Sequence, residues 1–283
     1  MSRVCLIAVL ASVMSAALVR SEPLQTSTPA EKDATANGVR LHYVDWGGVG
    51  PTLLFLTPLG GDVVEQFGAI APQFTDRFRV LGLTRRGHGK SDKPPAGYDT
   101  PNLVRDIVGF LDVLRVDRVH LAGHSIAGAE MTLLAGTRPE RVSSVVYLDA
   151  AVDYRWQSQL AAEAGFGPPP DPVRAAILRG AAASPPAYER LRAPALNIVV
   201  VFDGPIQPHP NDAGDAAYLR FLKLVHERDV VNEQIRQFER SVKRGRVVRL
   251  RNTSHGGFLH EPEQQRIFVP AMRAFLQEAA SSG

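Results

Sequence analysis

Short apolar runs alternate with stretches of helical periodicity from residue 38 onward. The runs predicted as strands are residues 39–46, 52–57, 79–84, 118–122, 143–148, 196–202 and 246–250. The segments predicted as helices are residues 62–76, 103–114, 126–135, 219–242 and 267–278. Such alternation predicts an α/β fold in which a mainly parallel sheet carries helices on both faces. Candidate catalytic residues are therefore expected in the loops that follow the carboxyl ends of the strands.

Two long segments interrupt this alternation. Residues 153–193 are rich in Pro, Ala and Gly, and residues 204–245 contain a loop followed by a long helical pattern. Long segments of this kind are usually functional or disordered. We predict that residues 153–193 form a cap inserted between a first part of the core, residues 38–152, and a second part, residues 194–283.

The first residues have the pattern of a targeting segment. Arg3 precedes an uncharged apolar run from Val4 to Val19, and small residues at 15–17 suit a signal peptidase. Residues 1–20 are predicted as a signal peptide and residues 21–37 as a flexible linker, so the protein is expected to be exported, periplasmic or secreted. The run is short for a membrane span, and no stable span is expected after cleavage. An uncleaved N-terminal anchor is the alternative.

Composition and charge narrow the classes of function. Apolar residues make up 45% of the 283 residues and charged residues 22%, as in soluble globular enzymes. The net charge of +3 does not indicate a nucleic-acid partner. The single cysteine, Cys5, lies in the predicted signal peptide, so a mature chain would have no disulfide and no thiol nucleophile. The sequence has neither a dinucleotide fingerprint nor metal-ligand spacing, so no cofactor and no metal are predicted.

The candidate nucleophile lies in the stretch LAGHSIAG, residues 121–128. This stretch follows a predicted strand and opens a predicted helix, and the small residues Gly123 and Ala127 flank Ser125 at two positions on either side. A nucleophile elbow needs this context, because its tight turn strains the serine and leaves no room for bulky neighbours. The alternative is a glycine-rich turn in which Ser125 only caps the helix.

On these residues the chain resembles the α/β-hydrolase superfamily, as a serine esterase-like member. The matching pieces are LHYVDWG (41–47), RRGHGKSD (85–92), GHSIAG (123–128) and SHGGFLHEPE (254–263), and their order is that of the superfamily. The resemblance covers nearly all of the chain from Gly38 onward. It implies the α/β-hydrolase fold and a nucleophile, an acid and a base that follow one another in that order.

The resemblance also implies which residues complete the site. His255 follows the last predicted strand on a glycine-rich loop, which is the position of the base. Asp203 is the predicted acid, because it ends the strand at residues 196–202 and the order Ser125, Asp203, His255 matches the superfamily. Asp149 ends the preceding strand and is the alternative acid, and Asp153 is a third candidate.

The oxyanion hole is expected to consist of two backbone N–H groups. Ile126 follows the nucleophile at a helix N-terminus, where N–H groups favour negative charge. Leu59 is the expected second donor in the stretch TPLGG, where relatives usually carry His-Gly, because Pro58 has no N–H. Arg85 and Arg86 are interpreted as structural or surface residues.

A serine at the elbow predicts acyl transfer, because dehalogenases and epoxide hydrolases of this superfamily use an aspartate there to form an alkyl ester. The predicted function is hydrolysis of a small-molecule carboxylic ester through an acyl-enzyme intermediate. Trp156 and Phe166 are candidates for lining the substrate pocket, or else they only anchor the cap. The alternatives are an aminopeptidase of the proline iminopeptidase type, a cofactor-free perhydrolase and a non-catalytic ligand-binding protein on the same scaffold.

Overall fold

A computed structural model of the chain describes residues 29–206 and 215–281, so the predicted signal peptide and Cys5 lie outside the described residues. Eight strands of the described part form one sheet: β1 (Ala30–Ala36), β2 (Val39–Gly47), β3 (Thr52–Leu56), β4 (Arg79–Leu83), β5 (Val119–His124), β6 (Val142–Leu148), β7 (Ala195–Val200) and β8 (Gly245–Leu250). Their order across the sheet is β1-β2-β4-β3-β5-β6-β7-β8. β2 runs antiparallel to β1 and β4, and all other neighbouring pairs are parallel.

Helices cover both faces of this sheet, which confirms the predicted α/β-hydrolase fold. The α-helices of the described part are α1 (Val63–Phe67), α2 (Thr100–Val113), α3 (Ala127–Thr137), α4 (Tyr154–Glu163), α5 (Pro172–Ala182), α6 (Ala216–Glu227), α7 (Val230–Ser241) and α8 (Pro262–Ser281). α2 and α3 pack on one face of the sheet, and α1 and α8 pack on the other. None of the helices in the described ranges combines the length and the apolar character that crossing a membrane requires.

The central strands are continuous apolar runs because both of their faces are covered. Every residue of β3 is buried, and its side chains alternate between two apolar clusters. Leu54 and Leu56 pack with α2 and α3, whereas Leu53 and Phe55 pack with α1 and α8. The two clusters hold the strands rigidly, so the loops at their carboxyl ends have fixed positions.

The structure corrects the predicted linker at residues 21–37, because residues 30–36 form β1 at the edge of the sheet. Asn37 and Gly38 connect β1 to β2 and have φ angles of 51° and 72°, which two-residue hairpin turns require. The sequence AEKDATA has little apolar alternation because only two of its residues are fully buried. The Asn37-Gly38 pair is the feature of the sequence from which this hairpin could have been predicted.

Two predicted helices are also shorter than their patterns indicate. The segment 62–76 forms only the five residues of α1, after which Gly68 ends the helix and Pro72 lies at the start of a short 3₁₀ turn. The segment 219–242 is divided into α6 and α7, because Asp229 between them adopts a left-handed φ of 51°. This break lets α6 leave the sheet and reach the predicted cap.

The cap helices α4 and α5 are supported by α6, which comes from the second of the two long segments. The Arg220 guanidinium of α6 donates a hydrogen bond of 3.0 Å to the carbonyl of Ala164. Leu160 of α4 packs with Val225 and Val230 in a separate apolar cluster. The cover over the carboxyl ends of the strands is therefore built from both segments.

Candidate active site

Ser125 lies in a strained turn between β5 and α3. Its φ of 57° is in the left-handed region, which non-glycine residues rarely adopt. A Cβ atom added at Gly123 would lie 2.8 Å from the Cβ of Ala127, and one added at Gly128 would lie 1.7 Å from the carbonyl oxygen of Ala150. Small residues at 123 and 128 therefore permit the bend that presents the Ser125 hydroxyl.

Three side chains from three strand ends form a hydrogen-bonded chain. His255 Nε2 lies 2.9 Å from Ser125 Oγ, and His255 Nδ1 lies 2.6 Å from Asp149 Oδ2. The other carboxylate oxygen of Asp149 accepts a bond of 3.1 Å from the N–H of Val200. The Asp149 N–H donates to the carbonyl of Ile198 at 2.6 Å. Asp149 is thus fixed by β7 while it contacts the imidazole.

The structure corrects the predicted acid. Asp203 forms an ion pair with Arg251, and 65% of its side chain is exposed. β7 ends at Val200, so Asp203 lies three residues beyond the strand, whereas Asp149 directly follows β6. Asp153 caps α4 by accepting bonds from the N–H groups of the first helical turn. Asp149, the alternative acid, is the aspartate that the fold places against His255.

The charge of Asp149 changes the acidity of His255. Desolvation by the surrounding groups lowers the pKa of His255, although 53% of its side chain is exposed. The hydrogen bond and the negative charge of Asp149 outweigh this effect and raise the pKa above its ordinary value of 6.5. His124 lies beside it, with ring centroids 4.6 Å apart, and its Nε2 donates to the His255 carbonyl at 2.7 Å. Burial and the neighbouring His255 hold the pKa of His124 well below its usual range, so His124 is neutral. It therefore anchors the loop of His255 without adding charge.

A buried ion pair holds the loop that carries Leu59. Arg85 donates to the carbonyls of Thr57 at 2.8 Å and Pro58 at 2.9 Å, and its Nε lies 2.6 Å from Glu130 Oε1. Arg85 is 6% exposed and Glu130 3% exposed, so this pair belongs to the interior rather than to the surface. In a trans peptide the C=O and N–H groups point in opposite directions. By holding the Pro58 carbonyl, Arg85 also fixes the direction of the Leu59 N–H.

Arg86, the second arginine of this stretch, is likewise buried, and it pairs with Asp106. Both arginines are therefore structural residues of the interior.

Ser125, Asp149 and His255 line a cavity of about 740 Å³ beneath the cap. Its other walls come from β7, α4, α6 and α7 and are mostly apolar. Among the described residues, no group of three or more metal-ligating side chains is present here or elsewhere. The cavity is large enough for a small organic molecule.

The two aromatic residues predicted to line this cavity do not do so. Trp156 packs against the apolar cluster that joins α4 to α6, so it anchors the cap. Phe166 lines a neighbouring cavity of about 730 Å³ and stacks on Phe221, with ring centroids 5.9 Å apart. Phe221, which sequence reasoning missed, borders both cavities. The prediction failed because the second long segment, and not only the first, supplies the cap.

Tyr154 is another residue of the site that the sequence did not reveal. Burial raises the pKa of its hydroxyl far above the ordinary value of 10.0, although a hydrogen bond to Ser125 acts in the opposite direction. The tyrosine therefore stays neutral and contacts Ser125 from the first turn of α4. The cap aspartate Asp153, which precedes it, fixes the start of this helix.

The strand order, the strained serine turn and the serine–histidine–aspartate contact together define the class of the α/β hydrolases. The sequence profile of the alpha/beta hydrolase fold matches residues 51–200. The chain belongs to this family.

Several known proteins are similar to the chain over part of their length. It is 33% identical over 127 residues to the dihydrolipoyllysine-residue acetyltransferase component of the acetoin cleaving system of Pseudomonas putida, covering 45% of this chain and 34% of that one. It is 32% identical over 141 residues to 3-oxoadipate enol-lactonase 2 of Acinetobacter baylyi, covering 47% of this chain and 52% of that one. The chain thus spans about a third of the first relative and about half of the second.

A solved structure, the enol-lactonase from Burkholderia xenovorans LB400, superimposes with a TM-score of 0.64 over 87% of this chain and 100% of that one. At 20% identity this likeness shows the fold alone.

Proposed function

We propose that the protein is a serine hydrolase that cleaves carboxylic esters through an acyl-enzyme intermediate. The observation that carries this proposal is the chain of contacts from Ser125 Oγ to His255 Nε2, at 2.9 Å, and from His255 Nδ1 to Asp149, at 2.6 Å. The three residues open into one cavity, where a substrate carbonyl can approach the hydroxyl.

In the first half of the reaction, Ser125 Oγ attacks the acyl carbon while His255 Nε2 accepts its proton. Asp149 holds the imidazole in the required tautomer and stabilises the imidazolium. The N–H groups of Ile126 and Leu59 bind the oxyanion of the tetrahedral intermediate. The intermediate collapses when His255 returns the proton to the leaving alcohol oxygen, and the acyl group remains on Ser125.

In the second half, a water molecule replaces the alcohol. His255 Nε2 accepts a proton from this water as its oxygen attacks the acyl carbon, and the same N–H groups bind the second oxyanion. The bond to Ser125 then breaks, and Oγ regains a proton from His255. One ester and one water yield one acid and one alcohol.

Ester hydrolysis is favoured over aminopeptidase activity by the charges around the cavity. An aminopeptidase needs a free carboxylate to hold the substrate amine, and the cap carboxylates suited to this are Glu163 and Asp171. Glu163 pairs with Arg228, and Asp171 caps α5. Asp149 is the acidic residue among the described ones that line the cavity, and it is bound to His255. The lactonase relative supports the same choice, because a lactone is a cyclic ester.

A fluorophosphonate probe tests the proposal, because it reacts with serines that a neighbouring base activates. We expect one probe molecule per chain, mapped to Ser125 by peptide mass spectrometry, together with hydrolysis of short-chain ester substrates. Ser125→Ala should lose both signals, whereas Ser281→Ala, at the end of α8, should keep them. A folded wild-type protein that is neither labelled nor active on any ester in a series of graded chain length would contradict the proposal.

The pH dependence of kcat/KM should report His255. Only the neutral imidazole can accept the Ser125 proton, so kcat/KM should rise with pH through a midpoint above 6.5, because Asp149 raises the pKa of His255. In Asp149→Asn the hydrogen bond and the charge that raise the pKa of His255 are lost, while the desolvation that lowers it remains. The midpoint of an NMR titration of His255 should therefore move to lower pH. A midpoint that is the same in both proteins would show that Asp149 does not govern the imidazole.

A further inference from the structure

Two amide side chains without hydrogen-bond partners line the cavity that contains Ser125. Asn197 Oδ1 and Gln234 Nε2 are buried, and neither atom has a partner. Asn197 is 1% exposed and Gln234 7% exposed. Nearly all buried polar groups in folded proteins are paired, because an unpaired one lowers stability. Two such atoms, on residues that line one cavity, therefore require an explanation.

The position of Asn197 places it away from the reacting groups. In the register of β6 and β7, Asn197 lies opposite Tyr147, which is two positions before Asp149. Two positions correspond to roughly 7 Å along a strand. Because side chains alternate along a strand, Asn197 is on the same face as Val199, which packs against Ile235 of α7. Asn197 thus lies deeper than Asp149, toward the amino ends of the parallel strands.

Gln234 reaches this region from the buried side of α7, next to Ile235. The neighbouring walls are apolar, because Val199, Ile235 and Val231 pack together and line the same cavity. The described residues that line the cavity include no lysine and no arginine. A charged group at the remote end would lack a counter-ion, whereas a neutral polar group would find one acceptor and one donor.

We propose that Asn197 and Gln234 bind a neutral hydroxyl or amide group at the end of the substrate remote from the scissile ester. That group donates its hydrogen to Asn197 Oδ1 and accepts a hydrogen from Gln234 Nε2. The proposal rests on the proposed esterase function and adds a specificity to it. A site built to pair a substrate hydroxyl or amide discriminates against an analogue without that group, because its own buried polar atoms then stay unpaired.

Paired ester substrates test this specificity. For each acyl length in a graded series, one ester ends in a hydroxyl or carboxamide and its partner ends in a methyl group. At the acyl length that reaches Asn197, we expect the wild-type kcat/KM to favour the polar ester by about tenfold to a hundredfold. Asn197→Leu and Gln234→Met keep the side-chain size. Each should lose most of this preference and keep the wild-type kcat/KM for the methyl-ended ester.

A matched control and a stability measurement complete the experiment. Gln237→Met lies on α7 outside the cavity and should keep the preference. Removing an unpaired buried amide should leave the unfolding temperature of Asn197→Leu at or above that of the wild type. A lower temperature, or a variant that fails to fold, would instead assign the amide a structural role and overturn the proposal.

The result also separates this proposal from the esterase function itself. If the wild type hydrolyses polar and methyl-ended esters equally at every length, or if the two variants keep the preference, the specificity is refuted while the esterase stands. If Ser125 is not labelled and no ester is hydrolysed, both proposals fail together.

Discussion

Asp149→Asn is expected to lower kcat for ester hydrolysis about 10⁴-fold, whereas Asp203→Asn should leave kcat close to the wild-type value. An asparagine keeps the size of Asp149 but removes the charge that stabilises the imidazolium. It also presents an amide N–H to His255 Nδ1, which favours the tautomer that cannot accept the Ser125 proton at Nε2. Asp203 has no such role, because it pairs with Arg251 and lies mostly in solvent.

The two variants form a matched pair, since each replaces by its amide one aspartate in the loops that follow two neighbouring strands, β6 and β7. Steady-state kinetics on one short-chain ester and the rate of fluorophosphonate labelling should both separate them. Unchanged unfolding temperatures would exclude a folding defect as the cause. A large loss in Asp203→Asn with little change in Asp149→Asn would reverse the assignment of the acid.

Ser125 and His255, which the structure brings within 2.9 Å of each other, could be predicted because their sequence signals are local. Ser125 is identified by the small residues around it, and His255 by the last strand and its glycine-rich loop. The acid could not be chosen, because an aspartate follows both β6 and β7. The choice depends on where each strand ends against the His255 loop, which is set by pairing between strands far apart in sequence.

The walls of the cavity depend on tertiary packing in the same way. Trp156 and Phe166 of the predicted cap do not line the cavity. Its cap-side walls come from α4 and from residues that α6 and α7 bring across from the second long segment. The signal that divides these helices is a left-handed Asp229, which the apolar periodicity does not show. The two unpaired amides could not be predicted from the sequence either. In β7 only Asn197 interrupts an apolar run, and the sequence does not show whether its side chain has a partner.

Arg85→Met is expected to lower the free energy of unfolding by about 3–5 kcal/mol, because it leaves the buried carboxylate of Glu130 without its partner. Burial already raises the pKa of Glu130, and loss of Arg85 should raise it further. The folded state then binds a proton that the unfolded state releases, so the loss of stability should be greater at alkaline than at acidic pH. Urea unfolding at both pH values measures this difference.

The double variant Arg85→Met/Glu130→Leu separates stability from catalysis. Replacing both partners of a buried ion pair by apolar residues can be neutral or stabilising, so most of the lost stability should return. Arg85→Met should also lower kcat for ester hydrolysis, and kcat should stay low in the double variant. The carbonyls of Thr57 and Pro58 still lack the donor that fixes the Leu59 N–H. Arg236→Met, which breaks an exposed pair with Glu233, serves as the control and should change neither property. Recovery of both stability and kcat in the double variant would show that Arg85 does not position the oxyanion loop, and that its contacts with the two carbonyls serve folding alone.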